Sequence, residues 1–341
     1  MKIRRYLSIL PLGGLLFHAG CSRTPEEHIR GSALGTGYTV TYQASRPVDP
    51  FVIKQKIEDA LEEITGQISN WNPSSEVARF NASPGPFSMT ISQHFVELLH
   101  LASQLSRTTE GALDPTMGAL IDAWGFGVNR SQRVPVDSRI QQAMTQSGLR
   151  NLVLDSRSAT LSKQNDCAVN LSALAKGYAV DVIAGILDQA QIEHYLINIG
   201  GEIRAKGTRS GKVWEVGIPS PGGGPEDLLA TVKLQDQAMA TSGTHRKFFQ
   251  ANGTDYSHII DPRTGRTVNN ALVSVSIVAP DCAVADGLAT AILVLGRDAG
   301  LRLVESVPEA EGLFAAKEES GELEVVLSSG WPSDSTGSDS R

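Results

Sequence analysis

Through the first half of the chain apolar residues recur at helical spacing, and beyond about residue 190 they mostly alternate. Asp49-Pro50 opens a run with Ile53, Ile57, Leu61, Ile64 and Ile68 three or four apart, which predicts a helix. A second run from about Ser92 to Arg107 puts Phe95, Leu98, Leu99, Ala102 and Leu105 on one face. Helices are also predicted from Asp114-Pro115, near Ile140 to Ser147 and from about Ser172 to Leu187, with strands at "YTVTYQA", "NLVLD" and "TLSK". The second half supplies strands at "YLINIG", "EIRAKG", "WEVGI", "TVKL", "AMATSG", "KFFQ", "YSHII" and "LVSVSIV", and Asn252-Gly253 suits a hairpin turn. A last helix is capped by Asp281 and ended by Gly296. Interleaved helices and hairpins favour an α+β fold with mixed sheets, a single large domain with sublobes, over a doubly wound parallel sheet.

The ends of the chain depart from this pattern. Lys2, Arg4 and Arg5 precede an apolar run from Tyr6 to Phe17, and Ala19-Gly20 leads into Cys21. The run is shorter than the roughly 20 residues that span a bilayer. It reads as a secretory signal over residues 1–20 with Cys21 as the lipidated first residue of the mature chain. Residues 21–30 are polar and read as a tether, residues 31–331 as the folded domain, and residues 332–341 as a disordered tail. The expected location is the periplasmic side of a membrane, held by the lipid. Loss of Lys2, Arg4 and Arg5 with the signal takes the net charge from -7 to -10. An acidic exported domain is a poor general binder of nucleic acid. Cys167 and Cys282 both lie in "DCAV", an apolar setting that reads as burial and not as a disulfide.

Three segments carry candidate chemistry. In "DCAVADGLATAILVLG" Val284, Leu288, Ile292 and Leu295 form a stripe, and Asp286 and Thr290 stand one turn apart on another face. A carboxylate and a hydroxyl four apart can share one hard cation such as Mg2+. The same spacing also suits Asp286 in solvent and Thr290 bonded to a backbone carbonyl. In "NLSALAKGYAVD" Asn170 or Ser172 caps a helix with Lys176 near its start, where amides, dipole and lysine make an anion site. A solvated lysine on an amphipathic helix fits equally. "YSHIIDPRTG" puts His258 on a strand facing away from Ser257 and Ile259, open to a structural or a proton-transfer role. Asn198, Gly200, Gly201 and Glu202, and separately Thr241, Ser242 and Gly243, mark turns that could admit a ligand. No Walker loop, G-x-G-x-x-G, C-x-x-C, H-E-x-x-H or G-x-S-x-G is present, which removes support from the common nucleotide, zinc and serine-hydrolase sites.

Taken in order, "GSALGTGYTV", "SNWNPSSEVARFN", "GALDPTMGALIDAWGFG", "NLSALAKGYAVD", "INIGGEI", "ATSGTHRKFF", "YSHIIDPRTG" and "ADGLATAILVLG" resemble the FAD:protein FMN transferases of the ApbE family. The resemblance runs from about Gly31 to Trp331. It implies a Mg2+ site made by the carbonyl of Ala173 with Asp286 and Thr290. It implies FAD contacts at Leu34, Trp71, Ala112, Leu113, Asp114, Asn170, Lys176 and Ile260, and proton transfer at His258. The implied reaction passes FMN from FAD to a threonine or serine hydroxyl and releases AMP. The implied partner is an exported acceptor with a segment like D-x-x-[ST]-G-A-[ST], as in sodium-pumping NADH:quinone reductase or Rnf-type subunits. Leu34, Leu113 and Asn170 stand where methionine, phenylalanine and aspartate are common, and His245 lies near a frequent tyrosine. A Mg2+-dependent FAD pyrophosphatase and a non-catalytic FAD-binding lipoprotein are the alternatives.

Overall fold

A computed structural model describes residues 25–332 apart from 129–130, 225, 245–247 and 319. The signal, Cys21, His245 and the tail from residue 333 lie outside the described residues. Eight strands form the main sheet: β1 (Glu26–Ala33), β2 (Thr36–Gln43), β3 (His194–Ile199), β4 (Glu202–Lys206), β5 (Gln237–Gly243), β6 (Leu272–Ala279), β7 (Glu311–Lys317) and β8 (Leu323–Leu327). They lie side by side in chain order, and each neighbouring pair is antiparallel. Among the described residues the parallel pairing is the bridge between Met117 and Ala168.

The intervening helices are α1 (Pro50–Ile68), α2 (Glu76–Ala82), α3 (Gln93–Thr108), α4 (Gly118–Ala123), α5 (Asp137–Gln146), α6 (Ala175–Gln189), α7 (Cys282–Leu295) and α8 (Arg297–Ser306). Helical spacing is obeyed in α1, where the five isoleucines and leucines named above are all buried and Asp49 Oδ1 accepts from the Phe51 N–H at 2.9 Å. Ser92 likewise caps α3. The helix predicted from Asp114-Pro115 starts only at Gly118. Asp114 instead accepts from the N–H and hydroxyl of Thr116 at 2.8 and 2.5 Å, closing a turn in which the helix register is not yet set. The polar stretch assigned to the tether also differs, since Glu26 to Arg30 pair with β2. An edge strand needs only one apolar face, and Ile29 supplies it opposite Val40.

Alternation along the sheet separates two cores. Ala238, Ala240, Val275 and Ile277 face the layer of α6 and α7, and Ile203, Ala205, Met239 and Val278 face a smaller sheet that includes strands Lys212–Pro219 and Leu228–Leu234. Helix α7 is apolar on nearly every side and is buried almost throughout, so Asp286 has no solvent face to occupy. A third cluster forms a sublobe from α4, α5, the hairpin Phe248–Ala251 with Thr254–Ser257, and the short pair at Ile260–Asp261 and Arg266–Thr267.

Candidate active site

Strand ends and helix starts converge at one end of the main sheet, where β1 turns into β2, β3 into β4, and β5 finishes. Leu34 and Gly35 make the first turn with φ of +50° and +77°. A leucine there costs roughly 1–2 kcal/mol of backbone strain relative to glycine. Gly200 and Gly201 make the second turn, with Asn198 accepting from the Gly201 N–H at 3.0 Å. The glycine pair is therefore a tight turn, and it delivers Glu202 to the helix layer.

Glu202 and Arg204 share one face of β4 and meet α6 and α7. Lys176, the second residue of α6, is ion-paired with the buried Glu202 carboxylate. The lysine's charge, expected to await an anion, is thus shared with a carboxylate on the neighbouring strand. Arg204 pairs with Asp181 of α6 and with Asp281, the latter at 3.0 Å. Asp181 accepts from the N–H groups of Cys282 and Ala283 at 3.0 and 2.9 Å. It does the capping predicted for Asp281, whose side chain makes no cap bond to the helix. A carboxylate from another helix can fill this role because Gly177 lets α6 and α7 approach; a Cβ there would lie 2.4 Å from the Cys282 carbonyl oxygen.

Asp286 is 3% exposed. Its Oδ2 accepts from the Gly177 N–H at 3.1 Å. Burial drives its pKa up to about 7, opposed by Lys176 and the Gly177 amide and assisted by the negative charges of Glu202 and Asp181. One turn on, the Thr290 hydroxyl lies 3.2 Å from Ser242 Oγ at the end of β5. The neighbouring Thr241 bonds Ser276 at 2.8 Å and is occupied within the sheet.

The segment before α6 closes the site. Asn170 Oδ1 accepts from the Ser172 N–H at 3.0 Å, and the amides of Leu174 and Ala175 donate to Leu171 O. The amides of Ser172, Leu174 and Ala175, at the helix start expected to make an anion site, are therefore spent on the turn. The helix starts at Ala175 after Leu174, without a side-chain cap. Asn70 and Asn81 each donate to Val169 O, at 2.8 and 2.7 Å, and Asn81 Oδ1 accepts from the Val169 N–H at 2.7 Å. This clip joins the loop of Trp71, which is 48% exposed, to the loop of Asn170 and Ala173. Asn170 N–H donates to Pro115 O at 2.7 Å, which brings Asp114 alongside. Ala112 and Leu113 are buried, and Leu113 and Leu174 both pack where a Cβ on Gly287 would lie.

His258 and Ile260 belong to the sublobe. The predicted strand breaks between Ser257 and Ile260, and Ile259 N–H turns to Ser257 Oγ at 3.1 Å. The His258 ring is half-buried and edge-on to Phe126, with centroids 6.4 Å apart. Ile260 packs into the sublobe core with Leu120 and Trp124. Asp261 holds the turn through Arg263, and Trp124 Nε1 donates to Gly265 O at 2.8 Å.

Four carboxylates, Asp181, Glu202, Asp281 and Asp286, thus meet two cations, Lys176 and Arg204. Among the described residues no three His, Cys, Asp or Glu side chains group tightly enough to hold a metal by themselves. A carboxylate, a hydroxyl and a main-chain carbonyl are hard oxygen donors, and the acidic surplus with a carboxyl held near neutrality fits a divalent cation of the Mg2+ type. Asp181, Arg204, Asn70 and Asn81 complete the site without having been predicted in it, and Glu202 and Ser242 come from the two turns expected to admit a ligand. Only Glu202 and Ser242, beside glycines at strand ends, carried a local signal.

The fold and site define a class: an antiparallel-sheet α+β protein with a buried acidic centre between two helices. Residues 34–314 match the family model described as ApbE family. The chain is 37% identical over 326 residues to the FAD:protein FMN transferase of Vibrio cholerae serotype O1, covering 94% of this chain and 97% of that relative. It is 35% identical to the FAD:protein FMN transferase of Haemophilus influenzae, covering 87% and 89%. The solved flavin transferase ApbE from Vibrio cholerae superposes with a TM-score of 0.79 at 35% identity, over 89% of this chain and 98% of that one. The apo form of the Pseudomonas stutzeri flavinyl transferase ApbE gives 0.82 at 31%, over 89% and 95%. The chain belongs to the ApbE family.

Proposed function

We infer that this chain is an FAD:protein FMN transferase that moves FMN from FAD to a threonine or serine hydroxyl of an exported acceptor protein. The observation that carries the reading is the buried Asp286, one turn from Thr290 and wrapped by the start of α6, in a family whose named relatives are flavin transferases. The acceptor hydroxyl oxygen attacks the FMN-side phosphorus, the bond to the bridging oxygen breaks, and AMP leaves with that oxygen. The products are a phosphoester-linked flavin and AMP, and the hydroxyl proton passes to His258. Asp286, Thr290 and the Ala173 carbonyl would hold Mg2+, which supplies charge neutralisation at the pyrophosphate. Trp71 offers an exposed aromatic face for a ring system, and Leu34 presents its side chain from the strained turn. Lys176 shares its charge between Glu202 and the phosphate oxygens. The acceptor would carry a segment like D-x-x-[ST]-G-A-[ST].

The enzyme would work on the periplasmic side, anchored through Cys21. No helix among the described residues is long and apolar enough to cross a membrane. The test mixes mature protein, FAD, Mg2+ and a candidate acceptor domain and follows products by mass spectrometry. An FMN adduct with equimolar AMP is expected, and Asp286→Ala should abolish both. AMP with free FMN and no adduct would replace the transferase reading with a pyrophosphatase, and neither product would leave a carrier.

A further inference from the structure

We propose that the end of the sheet opposite the site rests on the membrane, with Phe51 and Val52 inserted among the lipids. The inference rests on lipidation of Cys21. Because β1 begins at Glu26, only four residues separate Cys21 from the folded body. Fully extended, that link reaches about 17 Å. A domain on so short a lead cannot stand clear of the bilayer, and the surface nearest Glu26 must meet it.

That surface is identifiable. Glu26 pairs with Gln43, so the chain enters at the end of the sheet where β2 finishes. Gln43 and Ser210 exchange two hydrogen bonds, 3.1 and 3.0 Å, which adds the exposed turn leading to Lys212. Seven residues after Gln43, α1 begins; burial raises the pKa of the Tyr42 phenol, and the nearby charges of Glu27 and Asp49 add to that rise. Asp49 caps the helix at Phe51. Phe51 is 83% exposed and Val52 50%, an adjacent apolar pair on the first turn of a helix whose isoleucines and leucine are buried. Single exposed apolar residues need no explanation, but this pair stands where the covalent lead forces contact with lipid. Leu34 lies at the other end of β1, about 25 Å along the strand. Seating Phe51 in the membrane therefore turns the site away from it, toward an acceptor hydroxyl presented well above the lipid surface.

Site-directed spin labelling of the full lipidated protein tests this. Cys167 and Cys282 are buried, with thiol pKa values pushed up by burial, so a single added cysteine takes the label. Phe51→Cys reports the proposed contact, and Ser74→Cys, exposed two residues from Asn72 of the groove that holds Leu34, reports the far end. In phosphatidylethanolamine–phosphatidylglycerol vesicles the label at 51 is expected about 5–10 Å below the headgroups, shielded from a water-soluble nickel relaxant, while the label at 74 stays open to it. Mass spectrometry of the N-terminal peptide from the same sample reports Cys21. Lipidated Cys21 with equal nickel access at 51 and 74 overturns the proposal and leaves the anchor standing. An unmodified Cys21 removes the anchor and the proposal together.

Discussion

Replacing Gly177 by alanine tests whether the contact between α6 and α7 sets the site. A Cβ at this position would lie 2.4 Å from the carbonyl oxygen of Cys282, 2.6 Å from its carbon and 2.7 Å from the Ala283 Cα. All three obstacles are backbone atoms, so no rotamer change relieves them. Ordinary contact starts near 3.4 Å, and α6 must therefore withdraw from α7 by about 1 Å. That movement stretches the 3.1 Å bond from the Gly177 N–H to Asp286 beyond hydrogen-bonding range and draws Lys176 away from Glu202. Overpacking of this kind costs about 1–3 kcal/mol. A misplacement of about 1 Å in a catalytic group costs on the order of 100-fold in rate. The control is Gly185→Ala in the same helix, where a Cβ would meet nothing within 4 Å. Urea denaturation and FMN-transfer kinetics on both variants should show Gly177→Ala destabilised and about 100-fold slower, with Gly185→Ala equal to the parent or up to ~1 kcal/mol more stable. If the two behave alike, the close approach of the helices does not position Asp286.

Removing the Asp181 carboxylate should expose the N-terminus of α7. Asp181→Ala is expected to lose about 1–3 kcal/mol in urea denaturation, and Asp281→Ala well under half of that; the reverse order would return the capping role to Asp281. Asn81→Ala removes two of the three side-chain hydrogen bonds to the Val169 peptide and leaves that of Asn70, and a raised KM for FAD of about tenfold should accompany a loss of about 1–2 kcal/mol in stability. Lower stability with an unchanged KM would confine Asn81 to a structural role. His258→Gln should slow adduct formation by about 100-fold or more without moving the melting temperature by more than a degree or two, and wild-type rates would exclude the histidine from proton transfer.

Local pattern was enough for much of the scaffold. The isoleucine and leucine spacing of α1, the extent and inner face of α3 and the alternation of the central strands were all legible, because helix periodicity and pleat act within a few residues. The pairing of Asp286 with Thr290 on one helix follows from a four-residue separation, and the resemblance of eight ordered segments pointed to the ApbE family before any fold was drawn. Other features depend on groups far apart in the chain. Asp181 caps a helix 101 residues downstream, Glu202 takes the charge of Lys176, and Asn81 clips a peptide 88 residues away. No window of sequence contains both partners of such a bond. Asp286 itself reads locally as a polar residue on a helix. Only the layer of α6 and the sheet folded around α7 removes its water, and that desolvation among other carboxylates lifts the pKa of an ordinary aspartate to about 7.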